Sequence, residues 1–137
     1  REPVSEGVRF GGGACGLESG LGILNGAREM DGEYGWAPRE VAALKAGGRQ
    51  EAIDVVANDK SLDGLTKEEA VIVRYGREVM GAHKLSREAF DAALSQFGEA
   101  TTIVLGALMG YYLMISCTLI ATDMRPAGGT PVLPKRR

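Results

Sequence analysis

The chain has 137 residues, with 16 Lys and Arg against 18 Asp and Glu, a formal net charge of −2 that leaves no basic footprint for nucleic acid. Its length suits one domain with a sizeable core, and two cysteines, Cys15 and Cys117, are too few for the disulfide framework of a small secreted protein. Reduced thiols and a cytoplasmic location are the expectation, and the opening REPVSEGVRFGGG shows no basic region leading into an apolar one as a secretory signal would.

Half of the 20 glycines precede Trp36, so residues 1–16 read as a loose N-terminal segment and the first third as the least specified part. Leu17 to Met30 is predicted to be a helix, with Leu17, Leu21 and Leu24 at helical spacing despite Gly20, Gly22 and Gly26. Three interior glycines cost about 2–3 kcal/mol relative to alanine, so this helix needs tertiary cover. Pro38 suits the first turn of a short helix that continues through Val41, Ala42 and Leu44 to a stop at Gly47-Gly48. Arg49 to Ala57 forms another, with Ala52, Ile53 and Val56 on one side. Thr66-x-x-Glu69 is a capping box opening a helix whose Ile72, Tyr75 and Val79 share a face, closed by Gly81 and His83. Ser86 caps the next helix, with Leu85 and Phe90 as a hydrophobic staple and Phe90, Ala93, Leu94 and Phe97 as its buried stripe; Gly98 ends it.

From Thr101 to Thr122 no side chain is charged, a run long enough at 1.5 Å per residue to cross a bilayer core of about 30 Å. It contains Gly106-x-x-x-Gly110, a spacing that lets helices approach closely. Tyr111 and Tyr112 in its middle, Thr101, Thr102, Ser116 and Thr118, and Glu99 and Asp123 at its ends favour a helix covered by protein, in the core or at an interface, over one covered by lipid. Residues 123–137, with Pro126, Gly128, Gly129, Pro131 and Pro134, read as an extended tail. Nothing alternates as a strand does. The expected fold is all-α, a single domain over 1–137 that associates with copies of itself rather than with nucleic acid, a membrane span staying the alternative for the run from Thr101 to Thr122.

No metal or nucleophile constellation emerges. His83 is the only histidine, the cysteines form no Cys-x-x-Cys, and Gly11-Gly12-Gly13 is followed by no Lys-Ser or Lys-Thr. No metal site and no cofactor are expected.

The tract EYGWAPREVAALKAG from Glu33 to Gly47, the segment from Phe90 to Gly98, Gly110-Tyr111-Tyr112 and the closing Gly-Gly-x-Pro-x-Leu-Pro at 128–134 resemble the carboxymuconolactone decarboxylase family, which includes the alkylhydroperoxidase D-like proteins. The resemblance runs from about Leu17 to Pro134. It implies an all-helical obligate oligomer, a trimer or hexamer, whose long apolar helix packs inside the subunit and against its neighbours, with no membrane partner. The chain departs from the family where the chemistry resides. Relatives commonly carry histidine where Arg39 stands, the hydroperoxidase branch places its Cys-x-x-Cys over the stretch matching Gly32-Glu33-Tyr34-Gly35, and a family glutamate falls near Gly20. Thiol peroxidase chemistry is therefore not expected.

What the resemblance leaves is cofactor-independent decarboxylation or isomerisation of a small organic acid or lactone. Arg39 would bind the anion and Glu33 or Glu40 would move a proton, with Trp36, Tyr34 and His83 contacting substrate. A guanidinium is no base at neutral pH, but it can hold a carboxylate through two parallel hydrogen bonds. The alternative is a catalytically silent binding or structural homologue, in which Arg39 forms a surface ion pair with Glu33 or Glu40, Trp36 serves packing and His83 is a solvated helix-end cation. A third reading is thiol-dependent hydroperoxide reduction through a distant cysteine.

Overall fold

The elements are α1 (Gly16–Glu29), α2 (Glu33–Lys45), α3 (Gln50–Ala57), a 3-10 turn (Leu62–Gly64), α4 (Lys67–Gly76), a π-helical turn (Arg77–Ala82) and α5 (Arg87–Ala121). They are seen in a computed structural model that describes residues 16–125, 128–129 and 132–136. The chain is all-helical over these residues. Residues 1–15 of the predicted loose segment, with Cys15 and the triple glycine, lie outside them, and Gly16 begins α1.

α1 touches all four other α-helices, and residues 21–28 are buried without a gap. A helix covered all round tolerates glycine where a neighbour replaces the missing side chain. A Cβ at Gly22 would stand 3.1 Å from Leu105 Cδ1, so the bare backbone there is what lets α1 and α5 lie close. The helix that composition marks as weakest is thus the centre of the core, with Leu21 and Leu24 packed against Trp36, Ile53, Ile72 and Met109.

α2 begins at Glu33, five residues before Pro38, rather than at the proline. Trp36 is 1% exposed and Ala37 equally buried, and the Trp36 N–H closes the first turn on Gly32 O at 2.9 Å. Burial of the indole therefore sets the helix start, and Pro38 sits on the exposed side of an established helix. α4 carries the capping box as read. Thr66 Oγ1 accepts from Glu69 N, and Glu69 Oε2 accepts from Thr66 N at 2.9 Å. Arg49 adds a fork on the same carboxylate, its Nε at 3.0 Å and Nη2 at 2.6 Å, and holds the Glu69 pKa below the usual carboxylate range. The π-helical turn ends on His83 in the left-handed region, φ 55°.

Ser86 caps α5, accepting from Ala89 N at 3.1 Å. Gly98 breaks this helix with φ 81° and ψ 172°, a conformation that side-chain-bearing residues avoid. Gly98→Ala is expected to lower stability by about 2 kcal/mol, read as a drop in the urea midpoint with an unchanged slope, although no atom stands within 4 Å of the new Cβ. Beyond the break, Thr102, Leu105, Leu108, Met109, Tyr112 and Ser116 are buried, while Ile103, Met114 and Ile120 are exposed. By length and composition α5 could cross a membrane, and 28% of its most apolar window is buried in the subunit. The two glycines of the predicted close-approach motif do different things. A Cβ at Gly106 would meet Tyr75 Oη of α4 at 2.8 Å, whereas Gly110 faces open space.

Residues 132–136 form no helix and return to the core. Leu133 is 2% exposed, Arg28 Nη1 donates to Pro134 O at 2.6 Å and to Ala57 O at 2.8 Å, and Arg136 forks onto Asp59 while reaching Glu29 at 3.1 Å. That fork draws the Asp59 carboxyl below its usual pKa.

Candidate functional site between α2 and α5

Along the seam where α2 meets the end of α5, the two helices run antiparallel in a readable register. A Cβ at Gly35 would stand 3.9 Å from Ser116 Oγ, and one turn on, the Arg39 guanidinium lies 4.6 Å from the centroid of the Tyr112 ring. Four residues separate Gly35 from Arg39 and Ser116 from Tyr112, one helical turn in each case. Gly32 faces the same hydroxyl, its missing Cβ 3.5 Å from Ser116 Oγ.

Absent side chains at 32 and 35 leave a cavity of about 290 Å³. Of the residues lining it, Gly32 and Ser116 are buried, Tyr34, Gly35 and Leu119 half-buried, and Asp31, Glu33, Ile120, Asp123, Met124 and Arg125 exposed. Its polar side chains are a phenol, a hydroxyl, three carboxylates and one guanidinium. Arg125 also pairs with Asp123 at 3.2 Å.

The residues singled out in the sequence divide between this cavity and its margin. Glu33 and Tyr34 line it. Arg39 sits one turn away, half-buried against Tyr112, and makes no ion pair among the described residues. Glu40 does not pair with it; its Oε2 accepts from Trp36 Nε1 at 2.8 Å, which satisfies the buried indole. Trp36 itself is core. His83, exposed after the π-helical turn, lines none of the described cavities. The sequence reading missed Ser116, Asp123 and Arg125, which fall roughly eighty to ninety residues from Gly35. The spacing Gly32-x-x-Gly35, two small residues on one helix face, was the signal for an opening there.

Two further cavities, of about 380 and 340 Å³, flank the docked tail and share Arg28, Pro134, Lys135 and Arg136. Arg28 is 2% exposed and gives hydrogen bonds to Asp31 and to two carbonyls, and its Nε is the buried side-chain nitrogen left without a partner among the described residues. Arg28 pairs with Asp31, and Arg136 with Asp59 and Glu29, so this cluster reads as the anchorage of the tail. Among the described residues no three His, Cys, Asp or Glu side chains converge as a metal site would need. Cys117 is a free thiol on the exposed face of α5. Compared with protein-family models, curated proteins and solved structures, the chain matches none.

Proposed function

We propose that the chain binds a small organic acid or lactone at the α2–α5 seam and decarboxylates or isomerises it without a cofactor, as a cytoplasmic homo-oligomer resembling the carboxymuconolactone decarboxylases. The observation that carries this reading is Arg39. Its guanidinium is held against the Tyr112 ring by cation–π attraction, yet it has no carboxylate partner among the described residues, so its donors stay available to an anion. Glu33, one of the carboxylates lining the adjoining cavity, moves the proton, and Tyr34 and Ser116 supply hydrogen bonds to a carbonyl or hydroxyl.

Lysine is the informative replacement at Arg39, because it keeps the charge and loses the planar fork. By calorimetry, Arg39→Lys is expected to weaken dicarboxylate and lactone-acid binding by about 1–3 kcal/mol, and Arg39→Ala by more. Glu33→Gln should retain binding while turnover is lost. If both Arg39 variants bind and turn over every identified ligand as the parent does, Arg39 is structural and the proposed site does not exist.

A second reading rests on the open mouth of the cavity, where Asp31, Asp123 and Arg125 are solvated and water is not excluded. On that reading the protein is a silent binder or scaffold, and ligands bind without turnover. Self-association belongs to both readings, as a trimer or hexamer, and is supported by the apolar side chains that α5 leaves exposed.

A further inference from the structure

The outer face of α5 beyond Gly98 has a regular composition. Ile103, Ala107, Gly110, Met114, Cys117 and Ala121 recur at alternating intervals of four and three, all six are exposed, and they lie opposite the buried stripe of Leu105, Met109, Tyr112 and Ser116. A spacing of 3.5 residues keeps such a stripe in line for about 28 Å, the geometry of a helix-pairing seam. No charged residue interrupts it. Glu99 stands just before it and Arg125 just after, both exposed.

The order of side-chain sizes selects one pairing. In an antiparallel pair centred on residue 112, Ile103 meets Ala121, Ala107 meets Cys117 and Gly110 meets Met114, so the bulkiest side chains each face a small one. The same pairing brings the end that carries Glu99 beside the end beyond which Arg125 follows, so opposite charges meet at both ends. Sliding by one heptad puts Ile103 on Met114 and Ala107 on Gly110, a clash beside a void. A parallel pair puts Met114 on Met114, Gly110 on Gly110 and Glu99 on Glu99.

We propose that α5 is a self-recognition surface whose occupant is α5 of a second copy, antiparallel about a two-fold axis beside residue 112. This rests on the self-association reading above and specifies its geometry. A two-fold contact builds a dimer or, combined with a three-fold contact elsewhere, a hexamer; a lone trimer cannot contain it. The pairing also brings the Glu99 end of the second copy toward the end of α5 that Arg125 follows, on the side of the α2–α5 cavity mouth.

The test uses the full chain with Cys15→Ser. Light scattering at about 10 µM first reports mass. Under mild oxidation the Cys15→Ser protein, with Cys117 alone, should form no disulfide dimer, whereas adding Ala107→Cys should give a dimer whose mapped bridge joins 107 to 117. Independently, Gly110→Met should weaken association at least tenfold, and combining it with Met114→Ala should restore it. Oligomers that cross-link 117 to 117, or that ignore both the cysteine and the size-swap variants, overturn this pairing while leaving self-association standing. A monomer overturns both, as does material that stays soluble only in detergent or sediments with lipid vesicles.

Discussion

Gly76→Ala is expected to destabilise the protein by about 2 kcal/mol, a drop in melting temperature of about 5–10 °C at fixed protein concentration. A Cβ there would lie 2.9 Å from both Cβ and Cγ of Asn25. Asn25 cannot swing aside, because it is 2% exposed on the central helix and its amide donates to Leu21 O at 3.1 Å. The gain of up to about 1 kcal/mol in helix propensity offsets only part of the overlap. Gly64→Ala is the control: nothing stands within 4 Å of its new Cβ, and its effect should stay within about 0.5 kcal/mol. Equal melting temperatures for the two variants would show that α1 and α4 do not cross where the structure places them.

Glu69 should be the most consequential carboxylate for folding. Glu69→Ala removes the capping box and the Arg49 fork together, for an expected loss of about 2–3 kcal/mol in urea unfolding at pH 7. Arg49 is 41% exposed and returns to water, so no stranded cation adds to that figure. Because the folded-state pKa of Glu69 is depressed, its contribution is present above the unfolded carboxylate range and is lost as pH falls through the folded pKa. Asp59, drawn down by Arg136, and Glu78, drawn down by the Ser86 N–H and Arg74, act in the same direction. Stability should therefore fall on acidification, and less steeply in Glu69→Gln than in the parent. Circular dichroism across pH 7 to 2 measures the difference, and coincident profiles would remove Glu69 from the account.

Local signals were the legible ones. Thr66 with Glu69, and Ser86 with Ala89, bond within three residues of one another, so their chemistry is written in adjacent letters. Gly98 was readable as a break for the same reason. The start of α2 was not, because Trp36 is held by residues distant in sequence and its burial outweighs the preference of Pro38 for a first turn. α1 looked weak by propensity and proves central, since helix propensity does not record what a neighbour supplies in place of a glycine's side chain. At the candidate site, Glu33, Tyr34 and Arg39 could be named from one short tract. Ser116 and Arg125 required the antiparallel register of α2 and α5, which no local pattern encodes.

The docked tail bears on the order in which the chain can fold. α1 is made before part of its cover: the Pro134 carbonyl that accepts from Arg28, next to the buried Leu133, comes 106 positions later. At translation rates of about 5–20 residues per second, that interval lasts roughly 5–20 s. Throughout it the Leu21–Arg28 stretch lacks this wall, so the nascent chain leaves apolar surface uncovered there that the folded chain buries.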